Sequence, residues 1–262
     1  MNIHSFARKK ADRQKISMVT CYDHWSAKIL NETDVDCILV GDSLAVVMHG
    51  FDSTVHATTE MMEMHVAAVR RGAPDKFIIA DMPFLSCSKG LVVAMDTVQR
   101  LMQAGANAVK IEGDTHQIEL IRHIVEAGVP VMGHLGLTPQ SIHNLGGHKV
   151  QAKDEEDANK LISGAKKLED AGCFAIVLEC IPTKLGSCVA QRLQIPTIGI
   201  GAGPHTDGQV LVLQDLLGVN PDFMPKFLRH YADNHTLIRQ AVNHFHDDVM
   251  TQAFPSLAES YR

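Results

Sequence analysis

Residues 101–136 read LMQAGANAVKIEGDTHQIELIRHIVEAGVPVMGHLG. The stretch holds nearly two turns of one structural phrase. A helical segment closes on Ala104-Gly105 and gives way to the apolar run 108–112. A second helical segment, with Ile118, Ile121 and Val125 on one face, closes on Ala127-Gly128 and leads into the run 129–134. Glycine just past a helix supplies the left-handed conformation that ends it. Short, near-continuous Val/Ile runs mark strands of a parallel sheet covered on both faces. Thr115 is the expected N-cap of the intervening helix.

Working outward, the same phrase fills most of the chain. Similar runs occur at 16–21, 37–41, 77–81, 174–179, 197–201 and 210–213, making eight in all. Helical periodicity links several of them, as in Leu91, Ala94, Val98, Leu101 and Met102, and in Ala158, Leu161, Ile162, Ala165 and Leu168. Ala171-Gly172 repeats the helix ending, and Arg71-Gly72 is a looser version of it. Eight strand–helix units predict an α/β protein with a (β/α)8 TIM barrel. An open doubly wound sheet is the alternative. We expect one domain over 1–262, with about 221–262, including 223–250, as a C-terminal extension of extra helices.

The composition excludes other classes. With 24 basic and 30 acidic residues the net charge is −6, and there is no basic block, so a nucleic-acid partner is not expected. A single Trp among 5% aromatics argues against base-stacking surfaces. No apolar run reaches the ~20 residues of a membrane span, and the basic N-terminus lacks the apolar segment of a signal peptide. The six cysteines show no metal-binding or disulfide spacing and read as reduced, buried thiols of a cytoplasmic protein.

In barrel enzymes the chemistry sits at the C-terminal ends of the strands. Those ends carry Asp42, Asp81, Lys110 with Glu112, His134 and Glu179. Any one of them has an ordinary explanation as a turn residue, a cap or a salt-bridge partner. Five strand ends of eight with an ionisable group call for more. Asp42, Asp81 and Glu112 offer only oxygen, which suits Mg²⁺. Lys110, on the same strand face as Glu112, can neutralise a carboxylate or a developing oxyanion. Glu179 follows an apolar run as the free carboxylate and is the candidate general base. A metal, a base and an oxyanion stabiliser make a site for proton removal next to a carbonyl. The glycine-rich stretch 199–203 reads as close packing at the barrel rim or a phosphate loop.

The same residues carry a resemblance. VGDSL (40–44), GFDST (50–54), IADMPF (79–84), AVKIEG (108–113), VMGHLGLTPQS (131–141), LGGHKVQ (145–151), VLECIP (177–182), IPTIGIGAG (195–203) and DGQVLVLQDLLG (207–218) resemble the ketopantoate hydroxymethyltransferase family over nearly the whole chain. The resemblance implies a (β/α)8 barrel and Mg²⁺. It implies transfer of a hydroxymethyl group from the co-substrate 5,10-methylenetetrahydrofolate to α-ketoisovalerate through a Mg-stabilised enolate, giving ketopantoate for pantothenate and coenzyme A. It implies metal ligation by Asp42, Asp81 and Glu112, keto-acid binding by Asp42, Ser43, Asp81 and Lys110, and Glu179 as proton acceptor. It implies a homo-oligomer, a decamer. Ala45, Val55-His56-Ala57 and Gln214 depart from the pattern without removing any of these residues. A Mg²⁺-dependent carbon–carbon lyase or phosphonomutase working without folate is the rival activity, and a catalytically silent binding barrel is the rival class.

Overall fold

The computed structural model describes residues 1–147 and 149–261. His148, in the 145–151 motif, lies outside the described residues. Eight parallel strands close into a barrel in chain order. They are β1 (Ile16–Thr20), β2 (Cys37–Val40), β3 (Phe77–Asp81), β4 (Ala108–Glu112), β5 (Val131–Gly136), β6 (Ala175–Glu179), β7 (Thr197–Ile200) and β8 (Gly208–Leu211). Pairing of β1 with β8, from Ile16 opposite Gly208 to Val19 opposite Leu211, excludes the open sheet. All eight expected runs are strands, with ends moved by one or two residues. The run 129–134 starts pairing only at Val131, because Pro130 has no N–H to give.

The helices of this barrel unit are α1 (Ile3–Ala11), α2 (His24–Asn31), α3 (Leu44–Val47), α4 (Thr59–Gly72), α5 (Leu91–Ala104), α6 (Ile118–Glu126), α7 (Ile142–Leu145), α8 (Glu155–Asp170) and α9 (Thr183–Arg192). Gly105 ends α5 at φ 116°, a conformation that costs an L side chain dearly, and Gly128 and Gly172 stand in the same region. Gly72 does not. It is still helical, and a Cβ there would collide with the His24 carbonyl and Ala27, so its role is to let α4 lie close on α2. Thr115 is not the cap of α6, which starts after Gln117 without a side-chain cap; the Thr115 hydroxyl reaches Asp114 Oδ1 at 3.4 Å instead.

The described chain falls into two compact units, Met1–Leu211 and a second one from Val212 onward. The second unit contains α10 (Leu213–Leu216), α11 (Asn234–Met250) and a 3-10 turn at Leu257–Glu259. Of the extra helices expected in this extension, α11 fills only the second half of 223–250. Pro221 and Pro225 interrupt the stretch before α11, which is irregular. All six cysteines are free thiols, and Cys21, Cys37 and Cys173 are buried.

Strand periodicity makes the barrel interior a graded column. Ile16, Met18, Cys37, Leu39, Phe77, Ile79, Ala108, Met132, Ala175, Val177, Ile198 and Val210 form one buried cluster with Phe6 of α1. Two residues further along four of the same stripes come Asp81, Lys110, His134 and Glu179, and Glu112 follows Lys110 on its stripe. The inward face is therefore apolar at the start of the strands and ionisable at their ends. At the apolar end Phe6 meets Phe77 and Phe174 edge-on, with ring centroids 5.5 and 5.0 Å away. Helix α1 is tied down by Lys10, whose Nζ lies 2.8 Å from both Asp207 Oδ2 and the Ala190 carbonyl.

Candidate active site

The strand register brings the ionisable groups together. Asp81 stands opposite Lys110, Glu112 opposite His134, and Gly136 opposite Glu179. Lys110 Nζ lies 3.1 Å from Asp81 Oδ1, 3.9 Å from Glu112 Oε1 and 3.1 Å from His134 Nδ1. His134 Nδ1 is 3.3 Å from Glu112 Oε1, and its Nε2 is 3.2 Å from Glu179 Oε2. Asp42 joins the group through its backbone N–H, which donates to Asp81 Oδ2 at 3.1 Å. Ser43 Oγ shares a 2.7 Å hydrogen bond with the Tyr22 hydroxyl. Gly41 leaves room between them: a Cβ there would lie 2.9 Å from Ser43 Oγ and 3.4 Å from Asp81 Oδ2. Every residue picked from the strand ends is therefore at one mouth, with Ser43 on its border.

The electrostatics are those of a buried, acid-rich site. Asp42 and Asp81 are each 3% exposed, Lys110 4% and His134 2%. Among the described residues, four carboxylates (Asp42, Asp81, Glu112, Glu179) share the mouth with at most two cations, Lys110 and His134. Burial, with the charges of Asp81 and Glu112, holds the Asp42 carboxyl well above the usual range. Burial raises Asp81 as well, against the pull of Lys110. Burial would raise Glu112 too, but His134 and Lys110 outweigh it and leave the carboxyl below its ordinary value. Burial works against the Lys110 ammonium, and Asp81, Glu112 and Asp42 more than offset it, so its pKa is raised.

His134 is the residue whose role the sequence left open. Burial and Lys110 depress its pKa, while Glu112 and Glu179 raise it, and the carboxylates win, to about 9. The Lys110 ammonium can only donate, so its bond to Nδ1 requires the tautomer with the proton on Nε2; the imidazolium also carries that proton. In both forms Nε2–H faces Glu179. The contact is off the N–H axis and ionic in character, since Nε2 makes no aligned hydrogen bond. Glu179 is therefore not the free carboxylate expected from its apolar approach. It is held by His134, and its side chain keeps 18% exposure toward the mouth.

Two further residues escaped the sequence reading. Tyr22 is buried behind Ser43. Gln140, in the 3-10 turn after β5, donates from Nε2 to Asp42 Oδ2 and to the Met82 carbonyl, both at 2.9 Å, and from its backbone N to Glu112 Oε2 at 3.1 Å. Gln140 lies in a motif already quoted, but a tyrosine beside a strand and a glutamine in a loop carry no periodic signal. Gly199 and Gly203 are packing positions, since a Cβ on Gly199 would lie 2.7 Å from Thr206 Oγ1 and one on Gly203 would strike Thr183, while Gly201 stands at φ 66°.

Comparison with known proteins decides the family. The model of ketopantoate hydroxymethyltransferase matches residues 1–257. The chain belongs to the ketopantoate hydroxymethyltransferase family. Proteins named 3-methyl-2-oxobutanoate hydroxymethyltransferase are similar along their whole length. The one from Coxiella burnetii (strain RSA 493 / Nine Mile phase I) is 56% identical over 258 residues, 98% of this chain and 97% of its own. That of Bdellovibrio bacteriovorus is 54% identical over 259 residues, covering 99% and 98%. That of Francisella tularensis subsp. novicida is 51% identical over 260 residues, covering 99% and 98%. As a member of the ketopantoate hydroxymethyltransferase family, this chain is a hydroxymethyltransferase. Its fold is shared more widely. A 2,3-dimethylmalate lyase of the PEP mutase/isocitrate lyase superfamily aligns with TM-score 0.63 at 15% identity, over 99% of this chain and 91% of its own. A phosphonopyruvate hydrolase solved with oxalate and Mg²⁺ aligns with TM-score 0.60 at 13% identity, over 99% and 93%. At such identities the likeness concerns the barrel alone. Among the described residues, no helix is long and apolar enough to cross a membrane.

Proposed function

We propose that this chain transfers the one-carbon unit of 5,10-methylenetetrahydrofolate to α-ketoisovalerate, giving ketopantoate, with the barrel mouth as its active site. The observation that carries the reading is the charge balance there. Among the described residues four carboxylates, Asp42 and Asp81 of them buried, face at most two cations, and the buried oxygens Asp81 Oδ1 and Glu112 Oε1 accept no aligned hydrogen bond. This oxygen-only set suits a hard divalent cation in charge and chemistry. Among the described residues no three His, Cys, Asp or Glu side chains are already set as a metal cage. Asp42 and Asp81 with Glu112 would hold the ion, leaving positions for water and a chelating substrate. A bound Mg²⁺ would polarise the keto group and lower the barrier to removing the neighbouring proton.

The side chains have separate tasks. Glu179 takes the C3 proton, and the electron pair moves toward the carbonyl oxygen. His134 holds the base in place while that proton is in transit. Lys110 supplies positive charge where the oxygen becomes negative. Asp42, Ser43, Asp81 and Lys110 border the keto acid. C3 then bonds to the one-carbon unit, its bonds to the folate nitrogens break, water supplies the hydroxyl oxygen, and tetrahydrofolate leaves. The free thiols support a reducing, cytoplasmic setting. Leu237, Ile238, Val242 and Phe245 are exposed on α11 and support assembly with other copies of the chain, as in a homodecamer; light scattering of the purified protein tests it.

The decisive experiment follows the C3 proton of α-ketoisovalerate by NMR in D₂O, then adds folate. We expect Mg²⁺-dependent exchange without folate, and ketopantoate only with it. Cleavage of a keto acid without folate would favour a lyase, and binding without exchange a silent barrel; either result overturns the proposal.

A further inference from the structure

We infer that Gln140 is the positioning residue of the carboxylate set, fixing which oxygens of Asp42 and Glu112 are left for a cation. The inference rests on the proposed metal site. Each of the three carboxylates has one oxygen pinned by an N–H donor. Asp81 Oδ2 is held by the Asp42 backbone at 3.1 Å, Asp42 Oδ2 by Gln140 Nε2 at 2.9 Å, and Glu112 Oε2 by the Gln140 backbone at 3.1 Å. Two of these three donors belong to one residue. The side-chain amide is fixed in turn, since its other hydrogen goes to the Met82 carbonyl at 2.9 Å. The Met82 carbonyl can only accept, so that partner alone decides which end of the amide is the NH₂.

The consequence is geometric. A carboxylate free to rotate offers either oxygen to a cation, at an entropic cost on binding. Pinning Oδ2 of Asp42 and Oε2 of Glu112 leaves the opposite oxygen of each for a cation, Glu112 Oε1 being shared with His134 Nδ1 at 3.3 Å and Lys110 Nζ at 3.9 Å. Gln140 does this from a single turn after β5, while its amide also spans to the residue just past β3. The loop beyond is stitched to the base: Leu137 N–H donates to the Glu179 carbonyl and Gln151 N–H to the Cys180 carbonyl, each at 2.8 Å. One connection therefore sets the orientation of two carboxylates and is anchored on the backbone of the proton acceptor. Outer hydrogen-bond partners of metal ligands are worth about 10- to 100-fold in metal affinity.

The test compares Gln140→Met, Gln140→Ala and Asp42→Asn with the parent protein by calorimetric titration with Mg²⁺ alone, with melting temperature as the folding control. Methionine keeps the volume and removes the donor. We expect both Gln140 variants to fold and to bind Mg²⁺ about 10- to 100-fold more weakly. We also expect slower C3 exchange in both at saturating keto acid. Wild-type affinity in Gln140→Met, with affinity lost in Gln140→Ala or in neither, reduces Gln140 to a space-filler and overturns the inference. Unchanged Mg²⁺ binding in Asp42→Asn instead overturns the metal site on which it rests.

Discussion

The two ends of this barrel are made from the same strands and obey opposite rules. At the floor, Phe6, Phe77 and Phe174 close the column with rings in edge contact, and every gain comes from excluding water. At the mouth, two residues further along the same stripes, carboxylates and cations are buried at a desolvation cost that their mutual pairing offsets for the cations and leaves uncompensated on Asp42 and Asp81. The floor stores stability and the mouth consumes it. The difference teaches that a strand's alternation fixes where a side chain points, while its distance along the barrel fixes what that side chain is for.

The strongest way to break this contrast is at the base. Glu179→Gln should slow C3 exchange of the keto acid by about 10²–10⁴-fold while leaving the melting temperature unchanged or higher. Exchange at the parental rate would remove Glu179 from the chemistry. The complementary change is at the floor. Phe6→Ala should cost about 3–5 kcal/mol of stability in chemical denaturation, yet leave exchange at low temperature within a few-fold of normal. A folded Phe6→Ala protein with no exchange would show that floor and mouth are one cooperative unit.

Smaller effects sharpen the picture. Asp207 Oδ2 accepts from Lys10 Nζ at 2.8 Å, Thr197 N at 2.8 Å and Thr197 Oγ1 at 2.9 Å, joining α1 to the β7–β8 corner. Asp207→Asn should cost about 1.5–3 kcal/mol, read from the denaturation midpoint, with kcat untouched. Outside the barrel, Glu169 of α8 accepts from Gln194 N at 2.6 Å and Ile195 N at 3.1 Å. Burial would raise its pKa, but Lys166 and these two N–H groups outweigh burial and hold it below the usual glutamate value. A depressed folded pKa gives stability that is complete above the unfolded value, about 4.3, and is lost as pH falls through the folded one. Glu169→Gln should therefore cost about 1 kcal/mol at pH 7, and the gap to the parent should close below about pH 4.

Much of this was legible before any coordinates. The eight strands announced themselves because strands covered on both faces must be apolar throughout, and the residues at 42, 81, 110, 112, 134 and 179 stood out because they break that rule at one end. What periodicity cannot carry was missed. Gln140 sits in a turn, and its three hydrogen bonds join segments 28 to 98 residues away. The hold of His134 on Glu179 depends on the register of β4, β5 and β6. Phe6 belongs to a helix before the first strand, whose apolar face has no partner in the neighbouring sequence. Thr115 shows the converse error, a good capping residue placed three residues before the helix it was expected to start.

The pairing of β1 with β8 and the grip of Lys10 on Asp207 have a bearing on how the protein is made. The floor helix precedes every barrel strand in the chain, and the strand that closes the barrel and the carboxylate that holds the helix come after the other seven strands. Until then the early strands present an unpaired edge and Phe6 has no complete ring to plug. The end closed by aromatic packing is thus the one that must wait for strands late in the chain, and the interval is when a nascent chain most needs protection from its neighbours.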